Sequence, residues 1–88
     1  MERYKVLIKP SAKKELLAIS ARKDRQRIVR TIEALAENPR PPGCEKLSGY
    51  DRYRIRQGRY RIVYGVEDDE LVVFAIKVGH RRDVYRAL

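Results

Sequence analysis

The 88-residue sequence has few of the residues that build disulfides, metal sites and membrane spans. It contains one cysteine, Cys44, and one histidine, His80, which excludes an internal disulfide and a cysteine-based zinc site. The longest apolar run, Leu71 to Ile76, is far too short to cross a bilayer. No apolar run follows a basic start, so we expect no signal peptide, no membrane contact and a cytoplasmic location. We expect no metal ion and no other cofactor.

Acidic residues are also few. The sequence has 12 of them against 21 lysines and arginines, a net charge of +9. Such an excess favours a polyanionic partner, most often nucleic acid. A chain of this length predicts a single domain, residues 1–88, with a small core, so we expect any functional site to be shallow and built on the surface.

Two amphipathic helices are predicted in the first half of the chain. After the strand-like stretch "YKVLIKP", Ser11 is placed to cap a helix running through "AKKELLAIS". A second helix is predicted from Lys23 to Glu37 and ends at Asn38-Pro39. Apolar residues recur at i, i+4 and i+7 in both, which gives each helix one buried face. The residues of these faces are Ala12, Leu16 and Ile19, and Ile28, Ile32 and Leu35.

Three strands are predicted after the irregular connection "NPRPPGCEKLSGYD": Tyr53 to Gln57, Arg59 to Glu67 and Leu71 to Val78. Gly58 permits a tight turn, and "EDDE" is expected to form a solvated turn rather than a magnesium site. The order β-α-α-β-β-β predicts an α+β fold. We expect a small antiparallel sheet with the two helices packed on one face, followed by a short C-terminal helical tail.

The stretch "RYRIRQGRYRIVY" places five arginines on one predicted hairpin. Because side chains alternate along a strand, the arginines share one face, and the tyrosines and isoleucines share the other. A Gly58-Arg59 turn pairs Arg56 with Arg61, and a Gln57-Gly58 turn pairs Arg56 with Arg59. Either register keeps the two faces apart, and burial of the apolar face fixes this parity.

Like charges repel one another across a hairpin, so we expect the compensation for these arginines to come from outside the chain. A guanidinium donates two parallel hydrogen bonds to phosphate, which favours a phosphate-binding face over a merely solvated edge hairpin. The five residues are Arg52, Arg54, Arg56, Arg59 and Arg61.

Three stretches, "PSAKKEL", "ENPRPPGCEKLSGYDRYRIRQGRYRIVY" and "VGHRRDVYR", resemble the RelE branch of the RelE/ParE toxin superfamily over nearly the whole chain. The resemblance implies a small basic toxin that enters the ribosomal A site, cleaves mRNA there and is neutralised by a cognate antitoxin. The family commonly has lysines where Arg54 and Arg56 stand. Positions matched to functional residues of the family are Arg54, Arg56, Arg61, Arg81 and Tyr85.

The implied reaction is metal-independent attack of the RNA 2′-hydroxyl on the adjacent phosphate, which needs a proton acceptor and a proton donor. Arginine stays protonated at any workable pH, so it can stabilise charge but is a poor general base. The candidates for proton transfer are therefore His80 and Tyr85. Glu45 could also act as a base, but it lies in the irregular connection and the sequence does not determine its position. Either ring could instead be structural, His80 at a strand end and Tyr85 as an anchor of the tail. Contacts with the RNA backbone are predicted for Arg52, Arg59, Arg82 and Arg86.

Two other functions stay open. A ParE-type toxin that inhibits DNA gyrase would share the fold and the charge, but it would not need the complete basic set together with Tyr85. A catalytically inactive module that binds nucleic acid or the ribosome is compatible with arginines at the lysine positions. A cleavage assay with ribosomes distinguishes these functions.

Overall fold

The computed structural model describes residues 3–47 and 52–80, which form an α+β fold of two helices and five strands. The helices are α1 (Pro10–Leu17) and α2 (Arg22–Ala34). The strands are β1 (Lys5–Ile8), β2 (Glu45–Lys46), β3 (Arg52–Gln57), β4 (Tyr60–Glu67) and β5 (Val72–His80). No helix within these ranges is long and apolar enough to span a membrane. The predicted C-terminal helical tail lies outside the described residues.

The strands form one mixed sheet in the order β1-β5-β4-β3-β2. Strand β1 runs parallel to β5, and the other neighbouring strands are antiparallel. The prediction of an entirely antiparallel sheet was therefore wrong. Alternation of apolar and polar residues identifies a strand but carries no information on the direction of its neighbour. The two-residue strand β2 was not predicted, because two residues show no periodicity.

Residues of both helices join residues of the sheet in one core cluster. The expected apolar faces are confirmed: Ile28, Ile32 and Leu35 have no exposed surface, and Ala12 and Leu16 are buried. Burial of each large aliphatic side chain stabilises the fold by about 1.5–3 kcal/mol. The sheet residues that complete this core include Ile62, Tyr64, Val73, Ala75 and Val78.

Helix α1 also completes the exposed edge of β5. Strand β1 ends at Ile8, opposite Ala75, so beyond Ala75 the side of β5 that faces away from β4 has no strand partner. The hydroxyl of Ser11 donates to the carbonyl of Ile76 at 2.9 Å, and Glu15 Oε1 accepts from the amide of Val78 at 3.2 Å. These side chains satisfy backbone groups that a neighbouring strand would otherwise pair. The prediction that Ser11 caps the helix was wrong, because α1 begins before it and Ser11 binds the sheet.

The connection between α2 and β2 is fixed to the β4–β5 turn by Arg40 and Asp68. Arg40 donates to the two carboxylate oxygens of Asp68 at 3.1 and 2.8 Å, and the hydroxyl of Tyr4 donates to the same carboxylate at 2.7 Å. The "EDDE" turn is exposed, as expected, but Asp68 within it also anchors the connection. The hydrogen bonds from Arg40 and then Tyr4 lower the pKa of Asp68 from 3.8 to about 2.

This depressed pKa predicts a specific dependence of stability on pH. Because folding favours the charged carboxylate, its contribution is fully present above about pH 4 and is lost as the pH falls through about 2. We expect the free energy of unfolding to fall over this interval in the native chain and to fall less steeply in Asp68→Asn. Urea titrations across the interval measure both slopes. Asp69→Asn, the neighbouring exposed carboxylate, should keep the native slope, and a native slope in Asp68→Asn would contradict the prediction.

Candidate nucleic-acid interface

The β3–β4 hairpin turns at Gly58 and Arg59 and pairs Arg56 with Arg61. This is one of the two registers expected from the sequence. Gly58 adopts φ of +61°, a backbone conformation that glycine tolerates and that a two-residue hairpin turn requires. The same register places Ile55 opposite Ile62, and both pack against the core beneath the helices. The arginines of the hairpin therefore lie on the opposite face of the sheet.

An open depression of about 900 Å³ lies at the turn end of this hairpin. Four arginines and one aspartate contribute to its lining, so the depression is strongly basic. Concentrated charge of one sign in a concave surface focuses the field on an oppositely charged ligand. The lining residues are Asp24, Arg27, Arg56, Gly58, Arg59, Tyr60, Arg61 and His80.

Strand pairing explains how His80 reaches the arginines. Strand β5 pairs with β4 so that His80 lies opposite Tyr60, and Gly79 lies opposite Arg61. The rings of Tyr60 and His80 meet edge to face with centroids 6.1 Å apart. Arg61 is only 9% exposed, whereas Arg59 lies exposed in the turn. The depression thus combines one guanidinium held within the sheet, three exposed ones and an imidazole.

Four of the residues predicted for the site are brought together here, and two others are not. Arg56, Arg59, Arg61 and His80 line the depression. Arg54 and Arg52 lie farther from the turn on β3 and do not line the depression. Arg81, Arg82, Tyr85 and Arg86 lie outside the described residues.

Arg54 is compensated within the chain. It is only 5% exposed, and its guanidinium forms an ion pair with Glu45, which lies opposite it on β2. The Glu45 side chain is 69% exposed, so water reaches the carboxylate while the guanidinium is covered. The expectation that the hairpin arginines are compensated only from outside the chain was therefore wrong for Arg54. The structure also gives Glu45, which the sequence could not place, a definite partner.

Arg52 lies at the end of β3 away from the turn, against an aromatic ring. Its guanidinium carbon is 5.2 Å from the centroid of Phe74, and Lys9 Nζ is 5.4 Å from the same centroid. Phe74 fills the space above Gly65, where a Cβ atom would come within 2.3 Å of the ring. The small neighbour thus lets the ring lie on the sheet, where both cations reach it.

Apart from the turn residue Gly58, three residues of the depression were not predicted from the sequence: Asp24, Arg27 and Tyr60. The first two belong to α2, whose contact with the hairpin depends on tertiary packing. One such contact joins the Thr31 hydroxyl to Gln57 Oε1 at 2.8 Å, beside the turn. The spacing of apolar residues in α2 predicts which face of the helix is buried. It does not predict which end of the sheet the first turns of the helix approach. Tyr60 shares the apolar face with Ile62, and only its position at the strand end brings it to the depression.

Comparisons with known proteins agree with this architecture. A family model described as the ParE toxin of the type II toxin-antitoxin system, parDE, matches residues 6–85. A putative RelE-like toxin protein of Escherichia coli is 30% identical over 87 residues, which cover 94% of this chain and 90% of that protein.

Solved structures are similar over the same extent. A mutant of the E. coli toxin RelE in the free state has a TM-score of 0.78 at 30% identity, with 94% of this chain and 88% of that chain covered. The archaeal RelE-RelB complex from Pyrococcus horikoshii has a TM-score of 0.81 at 27% identity, with 93% of this chain and 99% of that chain covered.

The pairing of Arg54 with Glu45 predicts a stability effect. Glu45→Ala would leave a nearly buried guanidinium without its carboxylate. We expect the free energy of unfolding to fall by about 1–3 kcal/mol, between the values for exposed and fully buried pairs. Urea denaturation measures the change. Glu67→Ala, which removes an exposed acid from the end of β4, should change it by no more than about 0.5 kcal/mol. An unchanged stability of Glu45→Ala would show that the ion pair contributes nothing.

Proposed function

The chain belongs to the RelE/ParE superfamily of toxins from type II toxin-antitoxin systems, and on this basis we propose that it is a ribosome-dependent, metal-independent endoribonuclease. It cleaves mRNA in the ribosomal A site and so inhibits translation. The observation that carries the proposal is the basic depression that Arg56, Arg59, Arg61 and His80 line. Guanidinium groups suit a phosphate, and an imidazole suits proton transfer near neutral pH.

The chemistry uses the RNA's own nucleophile. The 2′-oxygen forms a bond to the adjacent phosphorus, the bond from phosphorus to the 5′-oxygen breaks, and the products are a 2′,3′-cyclic phosphate and a 5′-hydroxyl. Arg56 and Arg61 stabilise the extra negative charge on the phosphorane. His80 accepts the proton of the 2′-hydroxyl or supplies one to the leaving 5′-oxygen.

Other residues complete this assignment. We assign charge stabilisation to Arg81, a share of the proton transfer to Tyr85, and contacts with the RNA backbone to Arg52, Arg59, Arg82 and Arg86. Arg54 differs, because its guanidinium is already bound to Glu45 and nearly covered. Its role in this proposal is to hold β2 against β3 beside the site rather than to touch the RNA.

Dependence on the ribosome follows from the shape of the site. The depression is open and shallow, and it lies at the tip of a hairpin, so it restrains an mRNA poorly by itself. Orientation of the reacting groups supplies a large part of the rate enhancement in such reactions. The ribosome provides that orientation by holding the codon, and its RNA offers further phosphates to a protein with a net charge of +9.

A cognate antitoxin is the proposed protein partner. The P. horikoshii neighbour is a RelE-RelB complex at 27% identity, and another is the intact E. coli RelBE toxin-antitoxin complex at 32% identity. A strongly basic toxin suits an acidic partner that orders as it binds.

One observation favours a second function. The family model that matches is described as a ParE toxin, and a toxin of that type would act on DNA gyrase. A supercoiling assay with purified gyrase tests this alternative directly. Inhibition of supercoiling together with absence of mRNA cleavage would replace the proposed function.

The role of Arg61 is tested by mapping 5′ ends of a defined mRNA in a translating system. We expect the native chain to cut only when ribosomes are present, and Arg61→Ala to cut about 10²–10³-fold more slowly. Arg61 is nearly buried, so its replacement by alanine can also affect folding. Arg61→Lys keeps a positive charge at this position and serves as a second variant. Arg3→Ala removes the same charge from an exposed arginine paired with Glu37 and should cut normally.

Each outcome of this mapping has a defined meaning. Native cutting rates in Arg61→Ala would refute its assignment. Cuts in naked RNA would indicate a free ribonuclease. A folded protein that makes no cuts would favour gyrase inhibition or binding without catalysis.

His80 is tested by separating chemistry from binding. We expect His80→Gln to lower the single-turnover rate on programmed ribosomes about 10²–10⁴-fold, because glutamine cannot transfer the proton. Co-sedimentation with ribosomes should be unchanged, because the arginines that hold the RNA remain. A native single-turnover rate would show that His80 is structural, and a parallel loss of sedimentation would show that it binds rather than reacts.

A further inference from the structure

Asp24 is an unexpected member of the basic depression. It is half-buried and supplies the one carboxylate among the described lining residues. A carboxylate repels phosphate and weakens the field of the neighbouring guanidiniums. A surface that served only to bind the RNA backbone would be stronger without it.

The position of Asp24 in the helix explains only part of its presence. An acid in the first turn of α2 interacts favourably with the helix dipole, by about 0.3–1 kcal/mol. Ala21, at the capping position, makes no side-chain hydrogen bond, so the helix gains from such an acid. Dipole stabilisation does not require the carboxylate to lie in the depression. Within residues 3–47 and 52–80, no ion pair of 4 Å or less joins Asp24 to a basic side chain.

The neighbours of Asp24 suit a nucleobase. The rings of Tyr60 and His80 line the same depression, and unstacked RNA bases are bound by stacking on such rings. A carboxylate only accepts hydrogen bonds. Guanine, adenine and cytosine each offer an exocyclic amino group as donor. Uracil has one ring donor, N3–H, but two carbonyl oxygens flank it and repel a carboxylate.

We propose that Asp24 reads the base of the nucleotide held in this depression and selects bases with an exocyclic amino group against uracil. The neighbouring arginines hold the phosphates, and Asp24 acts as a specificity-determining residue that takes no part in the chemistry. This inference rests on the proposed function and adds a base preference to it.

The test compares cut sites in an mRNA library with all four bases at every codon position, read in a translating system. With the native chain, we expect uracil to be depleted at least about fivefold at one position of the cut codon, which corresponds to one hydrogen-bonded base contact. Asp24→Asn keeps the shape but offers both a donor and an acceptor, so the depletion should shrink to less than about twofold. Asp24→Glu keeps the carboxylate and should retain part of the preference.

Controls separate base reading from helix stability. Asp69→Asn makes the same charge change at an exposed turn outside the depression and should keep the native preference. The melting temperature of every variant is measured, and Asp24→Ser, which suits a helix start, serves as a second variant if Asp24→Asn fails to fold. Native depletion of uracil in a folded Asp24→Asn or Asp24→Ser would overturn the inference while leaving the nuclease in place.

A binding measurement keeps the two proposals distinguishable. Fluorescence titration of the native chain with short RNAs that differ only in adenine or uracil reports base preference without cleavage. A preference for adenine that Asp24→Asn loses, with no cutting on ribosomes, would support base reading and refute the nuclease. Equal binding of both RNAs, together with no depletion of uracil at cut sites, would refute base reading.

Discussion

The pairing of Arg56 with Arg61 across the β3–β4 hairpin is the constraint on which both the core and the candidate site depend. It places Ile55 and Ile62 under the helices and turns the arginines to the other face. Like charges opposite one another cost up to about 1 kcal/mol. A slip by one residue would bury arginines in place of isoleucines, which costs several kilocalories per mole for each unpaired charge. Burial therefore determines the register, and the accumulation of positive charge at the turn is its consequence.

The parts of the fold that follow from local periodicity were predictable, and those that depend on the path of the chain were not. The buried faces of α1 and α2 and the parity of the hairpin follow from spacings of about 3.6 and 2 residues. The parallel pairing of β1 with β5 does not, because a strand has the same alternation whichever way its neighbour runs. Ser11 shows a related limit. Its position before a helix predicts a cap, but the end of β1 leaves a carbonyl on β5 that competes for the same hydroxyl.

The residues of the candidate site also fall into a group that the sequence predicts and a group that depends on tertiary packing. Arg56, Arg59 and Arg61 come together because one hairpin carries them, and His80 joins them because β5 is the next strand of the antiparallel part. Asp24 and Arg27 reach the depression only through the docking of α2 beside the turn, which no spacing in the sequence encodes. The ion-pair partner of Arg54 could not be predicted from the sequence for another reason. Glu45 lies in a Pro- and Gly-rich connection, and its position depends on the two-residue strand β2.

The distribution of partners along β3 explains why arginine suits position 54. At position 54 the cation is nearly covered and must remain charged to hold Glu45. A lysine ammonium loses its charge more readily than a guanidinium when it is desolvated, and it cannot offer a planar fork to a carboxylate. Arginine at position 54 is therefore explained by the fold, and its positive charge is already used inside the chain. Arg56 does not share this explanation, because it is exposed and lies in the depression with Arg59 and Arg61. The ion pair with Glu45 accounts for Arg54, whereas under the proposed function a phosphate ligand accounts for the arginines at the turn.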